Sequence, residues 1–258
     1  AVPDIEADPD STVIKFDSID YTWIGINVEK GPLADLKVRQ AIRLGVDVDA
    51  IIAGAYSNTV TRAKTLLAPK LLGHWADAPV YQRDVEKAKA LLAEAGKPEV
   101  AVTLTCLNDA LMTAIAQIVQ ANLAEIGVTV TINALDGGAY WGLGEGDKSK
   151  DLELSIIPYS SKFDPGFQTQ WFLSEQVGLW NWQRWKNAEF DKLIASEAAR
   201  YGKILRDGKF RGLFVQPAAG DAGGALGEDA LLELVPGGGE AEARPELGAR
   251  RLDPLAFA

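Results

Sequence analysis

The run from Glu99 to Leu135 limits the possible folds more than any other part of the chain. EVAVTLTCL (99–107) and VTVTINAL (128–135) are short runs rich in β-branched residues, each of strand type. Between them Leu111, Ile115, Ile118, Val119, Asn122 and Ile126 recur along one helical stripe. Asn108 or Asp109 is placed to cap that helix, and Gly127 to stop it. A strand, a helix long enough for a crossover and a second strand, joined by tight connections, predict parallel pairing in an α/β lobe.

The flanking sequence extends this pattern. Asp84 is placed to cap a helix with Ala88, Leu91, Leu92 and Ala95 on one face, ended by Gly96 and Pro98. Asp35 precedes a helix carrying Val38, Ala41, Ile42 and Gly45, and Asp47 precedes VDAIIAGAY. TVIKF (12–16), YTWIGIN (21–27) and DLELSIIPY (151–159) are expected to be strands. Residues 57–79 lack sustained periodicity and are expected to form a long surface excursion. Asn187 is placed to cap AEFDKLIASEAA, with Phe190, Leu193 and Ile194 facing inward. After Tyr201 the texture turns to Gly, Ala, Pro, Glu and Arg, the composition of a loosely packed terminus in which only ALLELV looks like an ordered element.

Charge and residue counts remove several classes of function. With 36 acidic against 26 basic side chains, the net charge is −10, the wrong sign for gripping phosphate backbones or anionic membranes. No apolar run approaches the roughly 20 residues that span a bilayer, and the N-terminus shows no basic segment followed by an apolar stretch, as expected of a mature or truncated product. The single cysteine, Cys106, forms no intramolecular disulfide and reads as a small buried apolar residue. The single histidine, His74, is not accompanied by a GxSxG elbow, so no Ser-His-Asp triad is expected. One His and one Cys also argue against a His- or Cys-built metal site. GLGEG (142–146) lacks dinucleotide-binding spacing and carries acidic neighbours that repel pyrophosphate. Asp151, Glu153 and Asp164 are the carboxylates a hydrolytic acid and base pair would need, and a solvated sheet edge accounts for the first two without catalysis.

The stretch WNWQRWKNAEFDKLI concentrates Trp180, Trp182 and Trp185 just before a predicted helix. Trp180 and Trp182 are two apart, so on extended chain they share one face while Asn181 and Gln183 point the other way. Large indoles in such a cluster serve either as core or as the wall of a ligand pocket. The spacing leaves both readings open.

Four stretches together resemble a known family: NVEKGPLADLKVRQAIRLGVDVDAI, DVEKAKALLAEAG, AQIVQANLAEIGVTVTI followed by GGAYW, and FDPGF with WKNAEFDKLI. Over about residues 10–200 they are similar to the C-terminal lobe of the family 5 extracellular solute-binding proteins, the dipeptide, oligopeptide and nickel receptors of bacterial ABC importers. The resemblance implies a type II periplasmic-binding-protein-like lobe, with a mainly parallel mixed sheet flanked by helices. It implies three parts: hinge-proximal strands returning from a first lobe (1–27), the ligand-binding lobe (28–200) and an atypical tail (201–258). The tail departs from the family, whose members continue with a helix and returning strands; a shifted reading frame, a cloning artefact and genuine divergence each account for it.

The resemblance further implies a non-enzymatic receptor in the periplasm, closing over a peptide-like ligand and delivering it to the membrane permease of an importer, with no cofactor, no metal and no insertion into the membrane. Trp171, Trp180, Trp182 and Trp185 are then candidates for the cleft wall, with Tyr140 and Trp141 as further candidates. Asp164, in the family's Asp-Pro turn, is a candidate partner for a cationic ligand group, although Asp before Pro and Gly also favours a plain turn. Ser161 stands where peptide receptors carry the acidic partner of the ligand α-amino group, so modified peptides, opines and sugars stay open. Arg184 is a candidate for a ligand carboxylate, or for a surface salt bridge. Asn27, Arg39 and Gln40 are read as structural. The competing class is a hydrolase using cleft carboxylates.

Overall fold

The computed structural model describes residues 5–14, 18–69, 71, 74–160, 162 and 164–196. Among them, strands β1 (Tyr21–Ile26), β2 (Val100–Leu107), β3 (Val128–Leu135) and β4 (Leu154–Tyr159) form one sheet in the order β1-β4-β2-β3. The β-α-β reading holds: β2 and β3 run parallel in unbroken register from Val100↔Val128 to Leu107↔Leu135. Strand β4 lies parallel on the other side of β2, and β1 is antiparallel to β4. The sheet is therefore mixed and mainly parallel.

The helices follow their caps. α1 (Leu36–Gly45), α2 (Val48–Gly54), α3 (Val85–Glu94) and α4 (Ala110–Ala124) each begin behind an aspartate, Asp35, Asp47, Asp84 and Asp109 respectively. Each of those carboxylates accepts a hydrogen bond from a backbone N–H of the first turn, satisfying a donor that has no partner within the helix. Three further helices follow: α5 (Gly137–Trp141), α6 (Pro165–Thr169) and α7 (residues 188–196).

Alternation along the strands gives the sheet two faces. Val100, Val102, Leu104, Val128, Val130, Leu154 and Ile156 share a core with Val38, Ile42 and Leu92 and with Ile115, Val119 and Leu123 of the crossover helix. The opposite face carries Trp23, Ile157, Leu107 and Leu135, packed with Tyr140, Leu152 and Trp182 in a second cluster. Cys106 is buried in the first core, where burial and the nearby Asp109 carboxylate push its thiol up from the ordinary value.

Several expected boundaries shift. Residues 12–14 of the expected first strand are irregular, and the rest of that run lies outside the described residues. β4 starts at Leu154 because Lys148–Asp151 forms a 3-10 turn, and the Asn27 side-chain amide donates to the Lys150 and Leu152 carbonyls beside it. Residues 57–79 hold neither strand nor helix where described, yet Leu71 and Ala78 are buried, so part of this excursion packs onto the lobe. Leu193 is exposed rather than inward, whereas Phe190 of the same helix is buried. The tail from residue 201 and its ALLELV element lie outside the described residues.

Gly127, between α4 and β3, has φ +88°, and a Cβ there would lie 2.5 Å from the Pro98 carbonyl oxygen. Left-handed backbone and backbone crowding both oppose a side chain at that position. Gly127→Ala is expected to cost about 2 kcal/mol of stability, and a urea melt showing no loss would exclude this account of the turn.

Candidate functional site

The carboxyl ends of β2, β3 and β4 lie at the same edge of the sheet, and antiparallel β1 starts there with Tyr21. In open α/β sheets that edge is where ligands bind, because the loops leaving the strands diverge there. Asp136, directly after β3, accepts from Ala139 N at 3.0 Å and starts the short helix that ends in Tyr140 and Trp141. Asp164 accepts from Gly166 N at 2.8 Å and starts α6, which leads to Trp171.

These segments build a continuous aromatic layer over the second face. Trp180 stacks on Trp182 at 6.2 Å with 19° between the planes. Tyr140 meets Trp182 edge-on at 5.2 Å, and Trp171 meets Trp180 at 6.1 Å. The row continues from Trp171 through Tyr159 to Tyr21, and Trp23 packs edge-on against Phe172 at 4.8 Å. Edge-to-face contacts suit ring quadrupoles, so the layer is held by more than buried area.

The chain carrying the tryptophans is not extended. Trp182 N donates to Trp180 O at 3.0 Å, and residues 177–183 are largely turns. The two indoles do share a face, but Asn181 and Gln183 are buried as well, contrary to the alternation expected of a strand. Asn181 donates to the carbonyls of Phe172, Leu173 and Trp185 and accepts from Trp185 N, so its side chain organises the whole loop. Trp185 itself turns away to pack on Phe190.

The expected site residues fall into distinct places. Tyr140 is 0% and Trp182 2% exposed, so they form the floor of the layer and offer no surface to a ligand. The Tyr140 hydroxyl donates to Ile156 O at 2.6 Å, and Trp182 Nε1 donates to Leu179 O. Burial pushes the phenols of Tyr140, Tyr21 and Tyr159 above their ordinary value. Trp141 and Trp180 line an open groove of about 780 Å³ together with Leu179, Lys148, Glu145 and the glycines of 137–146. A Cβ on Gly144 would lie 3.0 Å from the Trp180 ring, which fixes that glycine under the indole. Trp171 is half-buried nearby.

Three residues stand elsewhere or in other roles. Asp164 is exposed and occupies its carboxylate in the Asp-Pro turn. Ser161 lies outside the described residues. The Arg184 guanidinium is taken up by two carboxylates, Glu29 at 2.6 Å and Asp147 at 2.5 Å, which is the salt-bridge alternative. Asp151 pairs with Lys30 at 3.0 Å, while Glu153 accepts from Thr103 N at 2.7 Å, so neither is poised as an acid or base.

Tyr21, Trp23, Phe172 and Gln168 were missed from sequence. A signal existed for the first two: in YTWIGI, Tyr21 and Trp23 alternate with Thr22, Ile24 and Ile26, so the strand's aromatic face is readable at period two. The Tyr21 hydroxyl, the indole N–H groups of Trp23 and Trp171, and the buried Gln168 amide have no protein hydrogen-bond partner among the described residues. Such groups are uncommon in folded proteins and concentrate at strained or functional places. Among the described residues no cluster of His, Cys, Asp and Glu is arranged to hold a metal ion, and no helix is long and apolar enough to cross a membrane. His74 Nδ1 lies 2.7 Å from the Leu67 carbonyl.

A mixed α/β sheet with helices on one face and ligand-type loops at its carboxyl edge is a lobe of the periplasmic-binding-protein fold. Solved structures carry the same architecture: HbpA2 from Haemophilus parasuis matches with a TM-score of 0.69 and 27% identity over 76% of this chain and 40% of that one. DppA from Helicobacter pylori, solved with the peptide STSA, matches in fold with a TM-score of 0.66, over 80% of this chain and 42% of that one, at 24% identity.

Residues 1–179 match the model for the bacterial extracellular solute-binding proteins, family 5 Middle, and the chain belongs to that family. Heme-binding protein A of Haemophilus influenzae is 30% identical over 200 residues, covering 74% of this chain and 36% of that protein. The dipeptide-binding protein of Escherichia coli is 30% identical over 203 residues, covering 74% and 37%. The chain thus spans well under half the length of these relatives. The family is one of solute-binding proteins rather than enzymes.

Proposed function

We propose that this chain is one lobe of a periplasmic receptor that captures a peptide-like solute between two lobes and passes it to the permease of an ABC importer. The observation that carries the reading is the aromatic layer at the carboxyl edge of the sheet, open to solvent as a groove at Trp141 and Trp180. Flat indole walls enclose varied side chains without demanding one shape, which suits a receptor for a class of ligands rather than a single molecule. Membership of the family and the names of its dipeptide-, glutathione- and heme-binding relatives support the same reading. Among the described residues, Glu145 in the groove and exposed Asp164, one oxygen of which accepts from Gly166 N, are the carboxylates offered to the ammonium of a zwitterionic peptide. Division of the chain into hinge-proximal strands, lobe and tail belongs to this proposal.

Lobe closure couples to binding only when the ligand contacts both walls. Calorimetric titration with dialanine, glutathione and hemin is therefore expected to give weak or absent binding to the 258-residue chain and saturable binding to a polypeptide that also supplies the second lobe. Equal affinity for both would sink the two-lobe reading, and product release from any of these peptides would replace the receptor by a hydrolase.

A further inference from the structure

Arg184 has φ +55° and Asp147 has φ +58°, two of the four described non-glycine residues in left-handed backbone. Such conformations persist in bulky residues only when their surroundings hold them. Here they hold each other. The Arg184 guanidinium reaches Asp147 Oδ1 at 2.5 Å and Glu29 Oε2 at 2.6 Å, while Lys186 Nζ takes the other Glu29 oxygen at 2.7 Å. The backbone repeats the connection, since Asp147 N donates to Gly178 O and Val28 N donates to Gln183 O.

The residues joined in this way adjoin the two walls of the groove. Gly146 and Lys148, which flank Asp147, line one wall and Leu179 and Trp180, which follow Gly178, the other. The hydrogen bond from Asp147 N to Gly178 O therefore ties the walls together, and the ion pair holds Arg184, four residues after Trp180, to the same turn. Glu29 sits just beyond β1, the strand that carries Tyr21 and Trp23 into the aromatic layer. We infer that Arg184 is a positioning residue: clamped by Glu29 and Asp147, it fixes the turn that sets Trp180 against Gly144 and so sets the shape of the groove. The assignment as part of a ligand site rests on the receptor reading, but the clamp itself does not.

The clamp is electrostatic and partly exposed, so it contributes little to global stability and is screened by salt. Its effect is expected on ring position. The Arg184 and Lys186 hydrogen bonds hold the Glu29 carboxyl below the ordinary carboxylate range. The clamp is thus intact above that range and opens as pH falls through the lowered value of Glu29. The charged groups around it are Arg184, Lys186 and Asp147, with the Lys30–Asp151 and Lys148–Glu145 pairs on the adjoining turns.

The test uses the 258-residue chain and near-ultraviolet circular dichroism, with Trp180→Phe identifying the part of the signal due to that indole. In Arg184→Ala and Arg184→Gly the Trp180 signal is expected to fall to less than half and to lose its acid transition, with far-ultraviolet spectra unchanged. Arg184→Lys, which keeps one charge, is expected to restore part of it. Glycine separates the alternatives, because it relieves the left-handed strain without restoring the charge. A Trp180 signal in Arg184→Gly that matches the parent from neutral to acid pH overturns the proposal. Should the Arg184 variants fail to fold, Asp147→Asn and Glu29→Gln carry the same expectation and the same overturning result. A clamp that behaves as described, when a polypeptide that also supplies the second lobe binds none of dialanine, glutathione and hemin, leaves the clamp standing and removes the receptor. Saturable binding by that polypeptide with an unmoved indole in the 258-residue chain does the reverse.

Discussion

Replacing Trp182 by alanine is expected to cost about 3–5 kcal/mol, the range for a fully buried aromatic truncated to a methyl. That is a large share of the ~5–15 kcal/mol by which domains of this kind are stable. The indole is 2% exposed, stacked on Trp180, edge-on to Tyr140 and anchored by its N–H to Leu179 O. Its removal leaves a cavity at the meeting point of the sheet's second face and the loop from Gly178 to Trp185. Half-exposed Trp180, whose ring lies along the groove, is expected to cost less than half as much when truncated. Urea midpoints of Trp182→Ala, Trp180→Ala and the parent compare the two directly. Equal losses, or a larger loss at Trp180, would mean that the floor and wall of the layer have been assigned the wrong way round.

The contrast between these two indoles shows where sequence stops being informative. The helices behind Asp35, Asp47, Asp84 and Asp109 were legible because cap, periodicity and stop signal all lie within a few residues of one another. The parallel pairing of β2 with β3 was legible because a helix-length crossover leaves little alternative. Nothing local distinguishes Trp180 from Trp182. Their different burial depends on Trp23 and Tyr140 arriving from distant elements, and on left-handed turns at Gly178 and Arg184. Arg184 is the same case: its partners lie 37 and 155 residues away, so its charge was readable but its occupation was not. Strand β4 was drawn three residues too long because residue preference does not register the grip of Asn27 on the Lys150 and Leu152 carbonyls.

Asn181 provides the second large effect and a pH signature of its own. The side chain is fully buried, its Nδ2 within 3.2 Å of the carbonyl oxygens of Phe172, Leu173 and Trp185 and its Oδ1 3.2 Å from Trp185 N. Asn181→Ala strands those backbone groups out of water, and at about 1–3 kcal/mol for each group left unpaired the loss is expected to reach ~3 kcal/mol or more. Asn181→Asp keeps the shape and the acceptor but turns two donors into a carboxylate facing three carbonyl oxygens. Burial without a cationic partner must raise the folded pKa of that aspartate above its unfolded value of about 3.9. A raised folded pKa means a contribution that is fully present below the unfolded value and is lost as pH rises through the folded one. The protonated acid regains one donor to the carbonyls; the ionised form has none. The melting temperature of Asn181→Asp is therefore expected to rise toward that of the parent as pH falls from 8 to 4, while the deficit of Asn181→Ala stays flat over the same interval. A flat deficit in both variants would mean that the amide does not hold the carbonyls of this loop, and that the tryptophans are kept in place by packing alone.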